Sequence, residues 1–171
     1  MGVNDYLCEK RIDMQEGVIR RASARDLGAV NSLLEQVLAV HHGGRPDLFR
    51  PEGKKYSDAE LLDIFAGDRT PVFVYDCGGA VLGYVFCVLQ EASGGALLPV
   101  TTLYIDDLCV DRDARGRGIG TALFNYARQF AAQKGCHNIT LHVWECNPGA
   151  VEFYRHLGLK SQYISMETII K

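Results

Sequence analysis

A glycine-rich turn between an apolar segment and a helical pattern constrains this sequence more than any other feature. Residues 103–110 are mainly apolar, and the turn follows them. Glycines there alternate with larger residues: Arg115, Gly116, Arg117, Gly118, Ile119 and Gly120. Glycine lets a ligand approach the main chain closely. A helix that starts at such a turn directs free N–H groups and its positive dipole end toward it. The turn is therefore predicted to bind an anion, most naturally a phosphate.

Three other glycine-rich motifs do not fit this turn. A Walker loop requires a Lys after its second glycine, and none follows here. A Rossmann fingerprint requires Gly-x-Gly-x-x-Gly, but its last position is Thr121 when counted from Gly116 and Leu123 when counted from Gly118. An Arg-Gly RNA-binding tract is normally repeated, and this one is single. A tight strand-to-helix turn without a ligand is the remaining alternative.

A second motif follows the glycine turn at a characteristic distance. The turn itself has the pattern Arg-x-x-Gly-x-Gly from Arg115 to Gly120. The downstream motif contains an Asn, a Phe-Tyr pair and a closing glycine: Asn147, Phe153, Tyr154 and Gly158. Together the two motifs span residues 103–159 and resemble the GNAT superfamily of acyl-CoA-dependent N-acyltransferases. The first hundred residues resemble the family only in layout.

The resemblance implies a binding site for acetyl-CoA as a co-substrate. The main chain of the strand before the turn would pair with the pantetheine arm like an added strand. The turn would hold the pyrophosphate, and Asn147 would lie along the pantetheine arm. The implied cofactor-binding residues are Leu108, Cys109, Val110, Arg115, Gly116, Arg117, Gly118, Ile119, Gly120, Thr121, Asn147 and Tyr154.

The resemblance also implies a catalytic acid at Tyr154, whose phenol would face the coenzyme sulfur. Reference pKa values of about 10 for tyrosine and about 8.5 for a thiol make this proton transfer uphill by roughly 2 kcal/mol. We therefore expect either a transfer concerted with departure of the thiol or a site that lowers the pKa of Tyr154. Its alternative role is that of a packing aromatic on an amphipathic helix.

The candidate bases are Asp106, Asp107 and Glu145. A base is needed because a lysine-like ammonium group has a pKa of about 10.4 and only the neutral amine attacks. Asp106 and Asp107 interrupt an apolar strand and are predicted to line a polar cleft. Strand alternation sends them to opposite faces, but a bulge, which family members often carry here, would change this, so alternation does not choose between them. A water chain is a further alternative.

An acidic pair at this place also resembles diamine and polyamine acetyltransferases. Such a pair would attract a cationic amine, although pairing with arginines would equally explain it. The loop after the first helix borders the acceptor site in the family, which makes candidates of four of its residues: His41, Arg45, Asp47 and Phe49.

The pattern of elements predicts one α/β domain over residues 17–171, preceded by an N-terminal arm over residues 1–16. Predicted strands cover residues 17–21, 71–76, 81–90, 101–110, 139–144 and 161–170. Predicted helices cover residues 24–40, 57–66, 117–134 and 148–157. The resemblance implies a mixed, mostly antiparallel central sheet with flanking helices, in which two central strands splay apart to form the cofactor cleft.

Composition indicates a cytoplasmic protein. The net charge of −3 and the lack of a long basic run argue against a nucleic-acid partner. No signal peptide or membrane-spanning segment is recognisable. The six cysteines contain no Cys-x-x-Cys pair and are interpreted as reduced. The adjacent His41 and His42 have no further ligand at useful spacing, so no metal is predicted.

The predicted function is transfer of an acetyl group from acetyl-CoA to a primary amine of a small molecule in a ternary complex. A polyamine-like or aminoglycoside-like acceptor is the first hypothesis. A protein N-terminus or lysine is the alternative acceptor, and a non-catalytic acyl-CoA-binding module is the alternative of another class. The oligomeric state, including a homodimer, stays open.

Overall fold

A five-stranded sheet with helices on both faces organises residues 17–92 and 94–170, which the computed structural model describes. The strands are β1 (Val18–Arg21), β2 (Val72–Cys77), β3 (Ala80–Glu91), β4 (Thr101–Val110) and β5 (Asn138–Leu141). The helices are α1 (Leu27–Gly44), α2 (Asp58–Ala66), α3 (Ile119–Gln133) and α4 (Pro148–His156). The predicted arm over residues 1–16 lies outside the described residues.

The strands lie in sequence order, β1-β2-β3-β4-β5. The first four are antiparallel, whereas β5 is parallel to β4. A parallel neighbour requires a crossover connection, and α3 supplies it. The predicted mixed, mostly antiparallel sheet is therefore confirmed.

Side chains of the central strands alternate between two hydrophobic clusters, one on each face of the sheet. On β3, Tyr84 and Phe86 join the cluster that contains residues of α1 and α2. Val85 and Cys87 join the opposite cluster, which contains residues of α3. This period of two, together with the 3.6-residue periodicity of the helices, is what the sequence pattern predicted.

A bulge interrupts β4 at the acidic residues. Ile105 lies opposite Cys87, and Asp107 lies opposite Phe86. Asp106 is therefore an extra residue in β4. The bulge that the resemblance allowed for in this strand is therefore present.

The bulge changes which of the two clusters each side chain at the end of β4 contacts. Leu103 and Ile105 pack in the α3 cluster, whereas Cys109 packs in the cluster of α1 and α2. Uninterrupted alternation would keep residues 103, 105, 107 and 109 on one face. The extra residue thus moves the side chain of Asp107 to the face of α1 and α2.

The pairing of β4 with the edge strand β5 stops at the bulge. Their pairing runs from Thr102 to Ile105 on β4, and β5 ends at Leu141. β4 continues to Val110, so residues 106–110 have no strand neighbour on this side among the described residues. The unpaired edge of residues 106–110 lies where the resemblance implies the cofactor cleft.

Three predicted elements differ from the structure by more than two residues. Helix α1 extends through the two histidines to Gly44, and β5 ends before the predicted residues 142–144. The predicted last strand over residues 161–170 is wrong, because this segment has no regular secondary structure. Ile164, Met166 and Ile170 are 82%, 91% and 87% exposed. An alternating apolar pattern makes a strand only where a sheet edge pairs with it, and none does here within the described residues.

None of the helices in residues 17–92 and 94–170 is long and apolar enough to cross a membrane.

Candidate active site

The glycine turn places the unpaired start of α3 at the end of β4. Gly116 and Gly118 adopt left-handed conformations, with φ of 74° and 78°. Helix α3 begins at Ile119 without a side-chain cap, and the N–H of Ala122 makes the first bond, to the carbonyl of Gly118. The preceding N–H groups therefore have no partner within the helix and are available to an anion.

Contacts with neighbouring elements hold the glycine turn in place. The Asp111 carboxylate accepts bonds from the N–H of Asp113 at 2.9 Å and from Gln36 Nε2 on α1 at 2.9 Å. Arg115 Nε donates to the carbonyl of Val110 at 3.1 Å. Arg117 donates to a backbone carbonyl in the same turn. Both arginines are exposed, so their remaining N–H groups can face a phosphate.

Helix α4 packs closely against the start of α3. A Cβ atom on Gly120 would lie 3.2 Å from Cζ of Phe153. The Asn147 carboxamide oxygen accepts the N–H of Ala150 at 3.2 Å, and Pro148 occupies the first turn, as the sequence predicted. This packing fixes Tyr154, the next residue after Phe153, relative to the glycine turn.

The open edge of β4 contains the residues implied for pantetheine binding. Leu108, Cys109 and Val110 lie beyond the point where β5 ends. Their backbone groups on that side can pair with an extended ligand. The Cys109 side chain points away into the core, where burial raises the pKa of its thiol to about 12. Cys109 can therefore offer a ligand its main-chain groups but not a nucleophilic thiolate.

A lysine forms ion pairs with both carboxylates of β4. We call these two residues, Asp106 and Asp107, the acidic pair. Lys55 Nζ lies 2.9 Å from Asp106 Oδ2 and 3.8 Å from Asp107 Oδ2. The Tyr56 hydroxyl donates to Asp106 at 3.0 Å, and the buried Tyr84 hydroxyl donates to Asp107 at 3.2 Å. Both carboxylates thus reach the same cation, which the bulge makes geometrically possible.

The two carboxylates differ in exposure. The side chain of Asp106 is 30% exposed, and that of Asp107 is 10% exposed. Burial raises the pKa of Asp107 to about 6, although Lys55 and the Tyr84 hydroxyl oppose the shift. A carboxylate with this pKa is largely ionised at pH 7 yet accepts a proton more readily than an ordinary aspartate. The structure thus distinguishes two residues that the sequence could not.

Tyr154 is half-buried in the same region. Burial, and secondarily the negative charge of Asp107, raise the pKa of Tyr154 above its usual value. The phenol is therefore protonated at neutral pH, as an acid must be. The alternative expectation, a site that lowers this pKa, is therefore wrong.

Glu145 lies apart from these groups. It is exposed in the segment between β5 and α4. No described residue makes a hydrogen bond or an ion pair with it, so the structure does not bring this candidate base into the acidic pair.

The predicted acceptor-side residues form a cluster with Trp144. Phe49 contacts both Trp144 and His41, with ring centroids 5.4 and 4.8 Å apart. The Arg45 guanidinium lies 5.8 Å from the Trp144 ring centroid and also pairs with Asp47. Burial, and secondarily the charge of Lys55, lower the pKa of His41. His41 is thus the member of the cluster on which the charge of Lys55, the lysine paired with Asp106, acts.

Four residues of the site were missed by sequence reasoning: Gln36, Lys55, Tyr56 and Tyr84. They come from α1, from the loop before α2 and from β3, and no local motif marks them. A search for polar residues in otherwise apolar segments would have found Tyr84 and no other of the four.

Comparison with known proteins identifies the family. Residues 33–159 match the Acetyltransferase (GNAT) family. The chain belongs to this family. The GNAT match includes the glycine turn, the acidic pair and α4, and it leaves out β1 and residues 160–171.

Individual relatives agree with the GNAT assignment. An uncharacterized N-acetyltransferase of Methanocaldococcus jannaschii is 31% identical over 146 residues, which cover 85% of this chain and 62% of that protein. The chain thus spans less than two thirds of that relative's length. The crystal structure of a mutant protein from Bacillus halodurans is 29% identical, with a TM-score of 0.86 over 90% of this chain and 99% of that one.

A more distant GNAT structure shares the fold alone. It is an aminoglycoside N-acetyltransferase in complex with CoA, 14% identical, with a TM-score of 0.67 over 90% of this chain and 94% of that chain.

Proposed function

We propose that this chain transfers an acetyl group from acetyl-CoA to a primary amine of a small cationic molecule, by direct attack in a ternary complex. The observation that carries the proposal is the acidic pair with a bound alkylammonium group, Lys55, together with a half-buried Tyr154 on which the charge of Asp107 acts. An ammonium group held there is next to a carboxylate suited to deprotonate it.

The fit of acetyl-CoA to the cleft rests on two groups of main-chain atoms. The N–H groups at the start of α3 suit the pyrophosphate, and the unpaired edge of residues 108–110 suits the amide-containing pantetheine arm. The side-chain amide nitrogen of Asn147 is free to contact that arm, because only its oxygen caps α4. When bound, acetyl-CoA supplies an activated thioester.

Each side chain of the proposed mechanism has one task. Asp106 attracts the cationic amine, and Asp107 accepts a proton from it. The Tyr154 phenol gives a proton to the sulfur as it leaves. Tyr84 and Tyr56 position the two carboxylates through their hydroxyl groups.

The acceptor class follows from the charge and the aromatic cluster. Two carboxylates favour an acceptor with at least one ammonium group, and the rings of Trp144 and Phe49 offer apolar contacts. Spermidine and aminoglycosides combine these properties. The GNAT relative named as an aminoglycoside N-acetyltransferase is consistent with this acceptor class.

The test is release of free thiol from acetyl-CoA with spermidine, an aminoglycoside, lysine and short peptides. We expect turnover with a small cationic amine. Tyr154→Phe should lower kcat by about 100-fold, the scale of a lost general acid, and should change the calorimetric affinity for acetyl-CoA far less, because the aromatic ring is kept. Tyr126→Phe is the matched control, because Tyr126 packs on Phe73 in the core and should retain full activity.

Three outcomes would contradict the proposal. Turnover with peptides alone would indicate a protein acceptor. Tight acetyl-CoA binding without turnover would indicate a non-catalytic binding module. The lack of acetyl-CoA binding would overturn the assignment of the cleft.

A further inference from the structure

The ammonium group of Lys55 occupies the place that the proposed function assigns to the amine of the acceptor. It contacts Asp106 at 2.9 Å and Asp107 at 3.8 Å, and it lies 5.2 Å from the ring centroid of Tyr56. We infer that Lys55 is a self-acetylation site, at which the chain modifies its own lysine from acetyl-CoA. The inference rests on the proposed function, because it uses the same groups.

The backbone around Lys55 is anchored on its C-terminal side. Tyr56 stacks on the buried Phe86, with ring centroids 6.2 Å apart and planes 9° apart, and its hydroxyl donates to Asp106. Ser57 caps α2 by accepting the N–H of Glu60. A reacting group held in this way is presented to the site without a search by a free molecule.

The neighbouring Lys54 provides an internal comparison. Its ammonium group pairs with Asp58 at 2.9 Å on the outside of α2, and both side chains are about half exposed. Lys54 and Lys55 therefore have the same chemistry and similar accessibility, with exposed fractions of 52% and 42%. They differ in that Lys55 alone of the two contacts the acidic pair.

The step balances without any reagent beyond acetyl-CoA. A bond forms between Lys55 Nζ and the acetyl carbonyl carbon, and the carbon–sulfur bond breaks. The ammonium group gives up two protons: one passes to Asp107 and then to water. The other passes through water to Tyr154, where it replaces the proton that the phenol gives to the departing sulfur. The products are acetyl-Lys55, CoA and one proton.

The modification is expected to be slow and to occur once per chain. Burial by itself lowers the pKa of Lys55. The carboxylates of Asp107 and Asp106 raise this pKa by more than burial lowers it, so the net shift is upward and the neutral amine is scarce. The rate should therefore increase with pH. Acetylation removes the positive charge and with it both ion pairs to the acidic pair.

The experiment is incubation of the whole chain with acetyl-CoA alone, followed by intact-mass measurement and peptide mapping. We expect acetylation at Lys55 to be at least about tenfold faster than at Lys54, because only Lys55 is positioned. The fraction modified per unit time should not depend on protein concentration. Tyr154→Phe should slow acetylation of Lys55 and leave that of Lys54 unchanged.

Two variants separate the effect of placing a cation on the acidic pair from the effect of placing a nucleophilic amine there. Lys55→Arg keeps the cation on the acidic pair but removes the nucleophilic amine, and it should abolish the fast modification. Lys54→Arg should leave it intact. Urea unfolding of both variants checks that they fold.

The outcomes distinguish this inference from the proposed function. Equal labelling of the two lysines, labelling unaffected by Tyr154→Phe, or a rate proportional to protein concentration would overturn self-acetylation in the site. Unmodified Lys55 in a preparation that acetylates an added amine would overturn this inference alone. Absence of both reactions would overturn both.

Discussion

At the residue scale, Asp107 shows how burial tunes an ordinary side chain. An exposed aspartate is too weak a base to take a proton from an ammonium group effectively. At the bulge of β4 the carboxylate is 10% exposed, with a pKa of about 6, and the Tyr84 hydroxyl and Lys55 keep it from being higher. Its neighbour Asp106 faces solvent and Lys55, which suits attraction of a cation.

This difference predicts a pH profile. For acetylation of a small amine, kcat/KM should rise as the pH increases through about 6, because Asp107 loses its proton there. Asp107→Asn should remove this rise of kcat/KM with pH and lower kcat/KM by about 100-fold. Asp106→Asn should retain the rise. The measurement is kcat/KM from pH 5 to pH 8.

A second variant checks the identity of the titrating group. Tyr84→Phe removes a hydrogen bond that stabilises the charged form of Asp107, so the midpoint should move to higher pH. A midpoint that stays in place in Tyr84→Phe would show that another group controls the profile.

At the element scale, the strand-to-helix turn is the part of the site that depends on backbone conformation. Gly116 and Gly118 have positive φ, and the start of α3 is left without a cap. The absence of side chains allows a ligand to reach the N–H groups directly. Gly120 serves a different purpose, since it allows α4 to pack against α3.

We predict that Gly118→Ala weakens acetyl-CoA binding by about tenfold. A left-handed conformation costs alanine roughly 1 kcal/mol, and relaxation of the turn would misdirect the N–H groups. Calorimetric Kd values for acetyl-CoA measure the effect.

Gly28→Ala is the control for this prediction. Gly28 lies in α1 with open space around its Cβ position, so alanine should stabilise the chain by up to about 1 kcal/mol without changing the Kd. Equal Kd values in Gly118→Ala and the wild type would count against anion binding at the turn.

At the scale of the whole molecule, an ion-pair network joins β1 to the rest of the fold. Arg20 on β1 binds Asp26 at 2.7 and 2.8 Å, at the start of the first helical segment, and Asp76 on β2 at 2.8 Å. Asp26 is 3% exposed and also accepts bonds from the Ser23 N–H and hydroxyl. The network fixes where α1 leaves the sheet, and α1 in turn supplies Gln36 to the glycine turn.

We predict that Asp26→Asn lowers the free energy of unfolding by about 3 kcal/mol at pH 7, because it leaves a cation without its buried partner. The Arg20 guanidinium lowers the pKa of Asp26 to about 2, from 3.8. The stabilisation by this carboxylate is therefore present above pH 3.8 and is lost as the pH falls through 2. Urea unfolding at several pH values should show the difference from wild type shrinking below pH 3.8.

Glu91→Gln is the control for Asp26→Asn. The ion pair of Glu91 with Arg69 is 63% and 61% exposed, so its loss should change stability little. A similar loss in both variants would show that burial does not govern the Asp26 contribution.

Local patterns in the sequence were enough to predict the helices, most of the strands and the two motifs. The helices and β2–β4 followed from periodicity, and Gly118, Asn147 and Tyr154 followed from short-range patterns whose chemistry is local. The same patterns wrongly predicted a strand over residues 161–170, because a strand depends on a pairing edge that the local pattern does not contain.

Which groups meet at the acidic pair depends on the folded arrangement of the chain. Lys55, Tyr56 and Tyr84 reach it from two other parts of the chain. The bulge at Asp106 set which face Asp107 occupies, and burial then set its pKa. Both effects depend on neighbours distant in sequence, since desolvation and ion pairing act through space and not along the chain.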